Sequence, residues 1–196
     1  MKNLKTVLFS LLAASILFTA CKKDENDDPP KNQMTIDGTA YEFSQGIIEN
    51  FGTWLSIDAY NLDITIISDS FTIYEMNGEI DSISGIGHAI SFELYSSDST
   101  DLATGEYVLD VNETGNAGTF SWGAAAINFN TETDEGTEYE FTQGTVTVSQ
   151  NGSTYILSFE CKTEDDITVT GYYNGVLKMY DYTDDKKSVK IKSKSL

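Results

Sequence analysis

Thr145-Val146-Thr147-Val148-Ser149-Gln150-Asn151-Gly152-Ser153-Thr154-Tyr155-Ile156-Leu157-Ser158-Phe159-Glu160-Cys161-Lys162 decides the fold. On both sides of Asn151-Gly152 the residues alternate in character. Val146 and Val148, then Tyr155, Leu157, Phe159 and Cys161, share one face, and Thr, Ser, Glu and Lys occupy most of the other. A period of two marks a strand with one buried face, because successive side chains leave a pleated backbone on opposite sides. An Asn-Gly pair between two such runs predicts a tight hairpin.

Working outward, short segments rich in Ile, Val, Thr, Tyr and Phe recur along the chain. They are Met34–Ile36, Thr39–Phe43, Trp54–Tyr60, Leu62–Ser68, His88–Tyr95, Glu106–Val111, Gly118–Asn130, Tyr139–Ser149 and Ile167–Tyr182. Gly, Asn, Asp and Ser clusters separate them at roughly 8–12 residues, the rhythm of sandwiches and barrels. Beyond the amino-terminal segment, no window sustains the i, i+3, i+4, i+7 apolar stripe of a helix between credible caps. The expectation is one all-β domain over 34–183, an antiparallel β-sandwich or barrel-like fold.

A weak internal duplication is part of that expectation. Thr39-Ala40-Tyr41-Glu42-Phe43-Ser44-Gln45-Gly46 matches Thr137-Glu138-Tyr139-Glu140-Phe141-Thr142-Gln143-Gly144 at six of eight positions. Downstream, Leu55-Ser56-Ile57 aligns with Leu157-Ser158-Phe159, and Asp63-Ile64-Thr65-Ile66 with Asp166-Ile167-Thr168-Val169.

Charge narrows the function. The chain has 31 Asp and Glu against 12 Lys and no Arg, a formal charge of −19. Of the acidic residues, 27 fall between Asn32 and Asp185, where only Lys162 and Lys178 oppose them. Nucleic acid is excluded as a partner, because its affinity rests on cations neutralising phosphates. The lack of arginine also argues against bidentate recognition of phosphate or carboxylate ligands. Five further lysines gather in 184–196, where Lys186, Lys187, Lys190, Lys192 and Lys194 surround Val189 and Ile191. This segment reads as a C-terminal tail against the acidic body or as an edge strand guarded by alternate lysines.

At the other end, Lys2 and Lys5 precede an apolar run from Val7 to Phe18, then Thr19, Ala20 and Cys21. That is the layout of a secretory signal over 1–20. Its core of about a dozen residues is shorter than the ~20 a membrane-spanning helix needs. Leu17-Phe18-Thr19-Ala20-Cys21 resembles the bacterial lipobox, in which the cysteine is acylated and becomes the new amino terminus. The resemblance implies lipidation of Cys21 and anchoring to a membrane, since two or more acyl chains hold stably. Residues 21–33 form a charged, proline-containing stretch with little to bury, which reads as a disordered tether. Within it Lys23-Asp24-Glu25 resembles the acidic export signal of Bacteroidota lipoproteins, which implies the outer membrane and favours the cell surface over the periplasmic face.

The body, with Gly144, Val146 and Val148 in one strand, its Asn-Gly turn and Thr170-Gly171-Tyr172-Tyr173-Asn174-Gly175 near its end, resembles the small uncharacterised β-rich lipoproteins of Bacteroidota. That likeness implies no activity, catalytic residue, metal or cofactor.

Candidate chemistry is sparse. His88 is the sole histidine, which rules out a multi-histidine zinc site, and it opens the apolar set His88-Ile90-Phe92-Leu94. Cys161 reads as a small buried hydrophobe. The loops 131–136 and 164–166 are rich in oxygen ligands but lack calcium-loop spacing, and read as solvated turns. Trp122 lies in a strand apolar on both faces. Abundant carboxylates leave open a hydrolase built on a carboxylate pair. The sharper hint is Trp54-Leu55-Ser56-Ile57-Asp58-Ala59-Tyr60. Read as a strand, it places Trp54, Ser56, Asp58 and Tyr60 together on a polar face, suited to stacking on sugar rings. The leading expectation is therefore a non-enzymatic binding or interaction module with a glycan or protein ligand, taken at Trp54, Asp58 and Tyr60. A hydrolase and an assembly lipoprotein offering an edge strand are the alternatives.

Overall fold

A computed structural model describes residues 30–53 and 58–183. Cys21, the expected signal and most of the tether, Trp54, and the lysine-rich segment 184–196 lie outside the described residues.

The fold is all-β, with no helix among the described residues. Its strands are β1 (Gln33–Ile36), β2 (Thr39–Glu42), β3 (Gln45–Thr53), β4 (Tyr60–Ile67), β5 (Phe71–Met76), β6 (Glu79–Ser96) and β7 (Gly105–Leu109). They continue as β8 (Thr119–Asn130), β9 (Glu135–Glu140), β10 (Gln143–Asn151), β11 (Thr154–Lys162), β12 (Thr168–Gly175) and β13 (Leu177–Asp181). From edge to edge the order is β13, β3, β4, β6, β8, β7, β10, β11, β12, β1, β2, with β5 added to β6 and β9 to β8. The sheet is open but strongly curled into a half-barrel. The chain itself links its two edges, because β2 runs on through Phe43-Ser44 into β3, and β12 through Val176 into β13.

The pairings are antiparallel except β13 with β3 and β7 with β8, which are parallel. That departs from the wholly antiparallel expectation. β12 carries on into β13 without a hairpin, and β7 reaches β8 through the loop 110–118, so neither pairing is set by a local reversal.

The hairpin at 151–152 is present with its turn displaced by one residue. Asn151 pairs with Thr154, so Gly152-Ser153 form the loop, with φ of +63° at Gly152. Glycine at the first central position is the signature of a type II′ turn. A second hairpin, between β5 and β6, turns at Asn77-Gly78, with φ of +58° and +91°. Positive φ at both central residues makes it the type I′ turn that such a dipeptide favours.

Of the strand expected over Trp54–Tyr60, residues 54–57 lie outside the described residues, and the part that is described is corrected. β3 ends at Thr53, which pairs with Tyr60 at the start of β4, and Asp58-Ala59 form a bend in the connection. The true strand, β3, was hidden because Ile47 and Ile48 are adjacent and both buried, which breaks the period-two pattern.

The duplication has a structural counterpart in its first part. In both copies one strand leaves a neighbour at a Phe-Ser or Phe-Thr step and resumes against another. Phe43 N donates to Asn32 O at 2.8 Å and Ser44 N to Ile67 O at 3.0 Å; Phe141 N donates to Gly123 O at 2.9 Å and Thr142 N to Lys162 O at 2.8 Å. Both phenylalanines enter the core. Gly46 and Gly144 follow because an added Cβ would overlap Leu177 and the Cys161 sulfur respectively. Of the downstream matches, Leu55-Ser56-Ile57 lies outside the described residues, and the other does not correspond: Asp63–Ile66 lies inside β4, whereas Asp166 and Ile167 precede β12. β4 instead occupies the place that β11 takes in the other copy, each paired with the strand that follows the motif.

Inward faces fill the half-barrel. Phe92 is the hub, with ring centroids 5.6 Å from Phe120, 5.8 Å from Phe141 and 5.6 Å from Phe159. The loop between β6 and β7 closes one end with Leu102, held by Ser96 Oγ donating to Asp101 O and by the Tyr155 hydroxyl donating to the Asp101 carboxylate. A smaller cluster, Ile67, Phe71, Ala89, Ala126 and Phe129, packs the β5–β6 hairpin against the outside of the sheet. That second layer gives the half-barrel a sandwich-like flank.

Candidate functional site

With the interior occupied by side chains, ligand chemistry is left to the outer faces. On β4, Leu62, Ile64 and Ile66 point into the core, so alternation turns Asn61, Asp63 and Thr65 outward. On β6 the same rule turns Ser91, Glu93 and Tyr95 outward, between the core residues Ile90, Phe92 and Leu94.

Register then assembles a row that crosses five strands. Tyr180 pairs with Glu49, Glu49 with Asp63, Asp63 with Glu93, and Glu93 with Trp122. Neighbouring strands lie ~4.8 Å apart, so the row is on the order of 20 Å long. Glu49, Asp63, Glu93 and Trp122 are all half-buried. Like charges directly opposite one another on adjacent strands are destabilising, and here three carboxylates stand side by side.

A polar network steadies them. Asn61 Nδ2 donates to Asp63 Oδ1 at 2.9 Å, and the Tyr95 hydroxyl donates to Glu93 Oε1 at 3.1 Å and lies 3.3 Å from Ser121 Oγ. Tyr95 is 7% exposed. Burial, with the negative charges of Glu93 and Asp63 adding to it, pushes its hydroxyl pKa up to about 12. Burial likewise raises Glu49 above the ordinary carboxyl value.

The row is closed at one end and open at the other. Over Tyr180, Glu75 of the hairpin accepts from Lys178 Nζ at 2.5 Å and from the Tyr180 hydroxyl at 2.8 Å. Bonding to Lys178 holds Glu75 below the usual carboxyl range. Beside it, Phe51 stacks on Tyr182 at 5.4 Å, and the Tyr182 hydroxyl accepts from Ile80 N at 3.2 Å. At the Trp122 end β9 has already left β8, since Phe141 N bonds Gly123 O as the chain turns inward.

No family model, curated protein or solved structure matches this chain. The reading of the site therefore rests on its geometry.

The residues singled out from the sequence are distributed differently. Asp58 is exposed in the bend, and Tyr60, half-buried, falls on the same side of β4 as Leu62 and Ile64 rather than with Asn61 and Asp63. His88 is half-buried, its ring 4.8 Å from Tyr41 and its Nδ1 accepting from Asn128 N at 3.2 Å. Burial lowers its pKa. Cys161 is buried, with its thiol pKa pushed up to about 12 by desolvation, which leaves it a weak nucleophile. Among the described residues no three His, Cys, Asp or Glu side chains are grouped to hold a metal ion.

Glu49, Asp63 and Glu93 were not singled out from the sequence. Alternation in Leu62–Ser68 and His88–Tyr95 does show Asp63 and Glu93 turned from the core. What sets them side by side is the register between strands, with partners 14 and 30 residues apart in the chain, which no local pattern encodes.

Proposed function

We propose that this chain is a lipid-anchored, non-enzymatic binding module that takes a glycan on the outer face of β3, β4, β6 and β8. The observation that carries the reading is the row Trp122, Glu93, Asp63 and Glu49. Trp122 offers a flat apolar ring for a sugar face, and the carboxylates beside it accept from sugar hydroxyls with the strength of charge-assisted hydrogen bonds. Asn61 and Tyr95 preset two of those carboxylates, which lowers the cost of ordering them on binding. From Trp122 to Glu49 the row covers three strand spacings, ~14 Å, more than one sugar ring, so an oligosaccharide fits better than a single sugar. Anchoring through acylated Cys21, at the cell surface, would present this face to external polysaccharide.

A glycan array probed with the full-length protein, followed by titration of any hit, tests the proposal. Trp122→Ala should weaken binding at least tenfold, whereas Tyr172→Ala on the opposite side of the half-barrel should leave it unchanged. Equal loss in both variants, or no glycan bound at all, overturns the assignment. Anchoring is tested separately: Cys21→Ser should abolish acyl labelling and membrane fractionation.

One observation favours a hydrolase as a second reading. Glu49, with its raised pKa, stands directly opposite Asp63, as an acid and a nucleophile would. These carboxylates lie side by side on one sheet face, however, rather than facing each other across a cleft. Cleavage of a bound oligosaccharide, lost in Glu49→Gln, would replace the binding module with the hydrolase.

A further inference from the structure

A groove of about 400 Å³ runs between the outer face of β3 and β13 and the overlying β5. Ile47, Phe71, Ile73 and Val176 line it, and the Glu75–Lys178 ion pair and Tyr180 stand at its wall. Among the described residues β13 pairs only with β3 and β5 only with β6, so within that set two strands with a free edge border the same groove. Val176 is 60% exposed there. An open apolar groove flanked by unpaired strand edges is a template for an additional strand.

We infer that this groove is the seat of the chain's own C-terminal segment, Ser188-Val189-Lys190-Ile191-Lys192. Position is the first argument. β13 ends at Asp181, and Tyr182 is held by Phe51 and Ile80, so the last 13 residues set out from beside the groove. Length is the second. Asp184 to Lys187 provide four polar residues for a reversal, after which Ser188 to Lys192 match in length the five residues of β13. Pattern is the third. Val189 and Ile191 fall on one side of an extended segment, toward the groove, and Lys190 and Lys192 on the other. Charge is the fourth, since the five lysines of residues 184–196, two of them within the segment, meet a body whose acidic residues are opposed by only Lys162 and Lys178.

Tethering makes weak attraction sufficient. A segment joined by a few residues experiences an effective concentration in the millimolar range, so a millimolar affinity already fills the groove about half the time. The inference is independent of any glycan ligand.

Amide hydrogen exchange on the full-length protein tests it, against the double variant Val189→Asp/Ile191→Asp. Peptides covering 186–194 should exchange at least tenfold more slowly in the parent than in the variant, and peptides covering β13 should lose part of their protection in the variant. Unchanged protection of β10 and β11 verifies that the variant is folded. Exchange of 186–194 at the rate of an unstructured chain in the parent overturns the inference. Protection that disappears on dilution also overturns it, because the groove would then be filled by the segment of a second copy.

Discussion

The two outer faces of the half-barrel obey the same alternation and carry opposite chemistry. On β7, β10, β11, β12, β1 and β2 the rows read Glu106, Thr147, Ser158, Tyr172, Gln33, Glu42 and Val108, Thr145, Glu160, Thr170, Thr35, Ala40. These residues are half-buried or exposed, around a shallow depression of about 510 Å³. Hydroxyls dominate and the charges are dispersed, as on a face that only meets water. On β3, β4, β6 and β8 three carboxylates stand in file beside a tryptophan, half-buried and backed by buried Asn61 and Tyr95. Solubility alone accounts for the first arrangement. The second accepts an electrostatic cost in a partly desolvated place, which is where binding chemistry is expected to conflict with stability.

Both faces depend on one shared core, so the largest effect should come from Phe92. It is 1% exposed and touches aromatic rings from β8, from the β9–β10 step and from β11. Phe92→Ala should cost ~3–5 kcal/mol in a denaturant titration. A loss below ~1.5 kcal/mol would mean that the faces rest on separate cores and that comparing them as two sides of one unit is mistaken.

A smaller effect should separate the faces by pH. Burial raises the pKa of Glu49 from 4.5. A carboxyl raised in the folded state contributes stability that is full below its unfolded pKa and is lost as pH rises through the folded one. Glu49→Gln should therefore be more stable than the parent at pH 7, and the advantage should shrink as pH falls toward ~4.3. His88, whose pKa is lowered by burial, loses its contribution as pH falls. That loss is common to both proteins and cancels in their difference. A constant difference from pH 4 to 8 would show that Glu49 is not where the acidic face stores its cost.

Much of this contrast could be read from the sequence one strand at a time. Thr145 to Ser149 and Tyr155 to Lys162 announced β10 and β11, and alternation assigned their inward residues correctly. β3 escaped because Ile47 and Ile48 are buried on both faces. The β5–β6 hairpin escaped although Asn77-Gly78 is the same dipeptide that marked 151–152, because Glu75, Met76 and Glu79 around it are exposed and break the apolar alternation. The Trp54–Tyr60 reading failed at the bend of Asp58-Ala59, since periodicity cannot see that two strands pair across those residues. The acidic row is of another kind. Each carboxylate lies on a strand, but their adjacency is a property of register, and register is set by the whole sheet.

The smallest predicted effect is the most direct probe of that adjacency. Glu93 lies opposite Asp63 on one side and Trp122 on the other, whereas Glu160 lies between Thr145 and Thr170. Glu93→Gln keeps an oxygen to accept from Tyr95 and removes one charge, so relief of repulsion should stabilise the protein by ~0.2–1 kcal/mol. Glu160→Gln, at an exposed position with no opposing charge, should stay within ~0.5 kcal/mol of the parent. Combining Glu93→Gln with Asp63→Asn completes a double-mutant cycle, in which the second neutralisation should gain less than it does alone. The coupling should weaken as salt shortens the range of the interaction, though less than for a fully exposed pair because both groups are half-buried. A destabilising Glu93→Gln would mean that the Tyr95–Glu93 hydrogen bond outweighs the repulsion. The acidic face would then be an ordinary satisfied network, no more strained than the threonine face behind it.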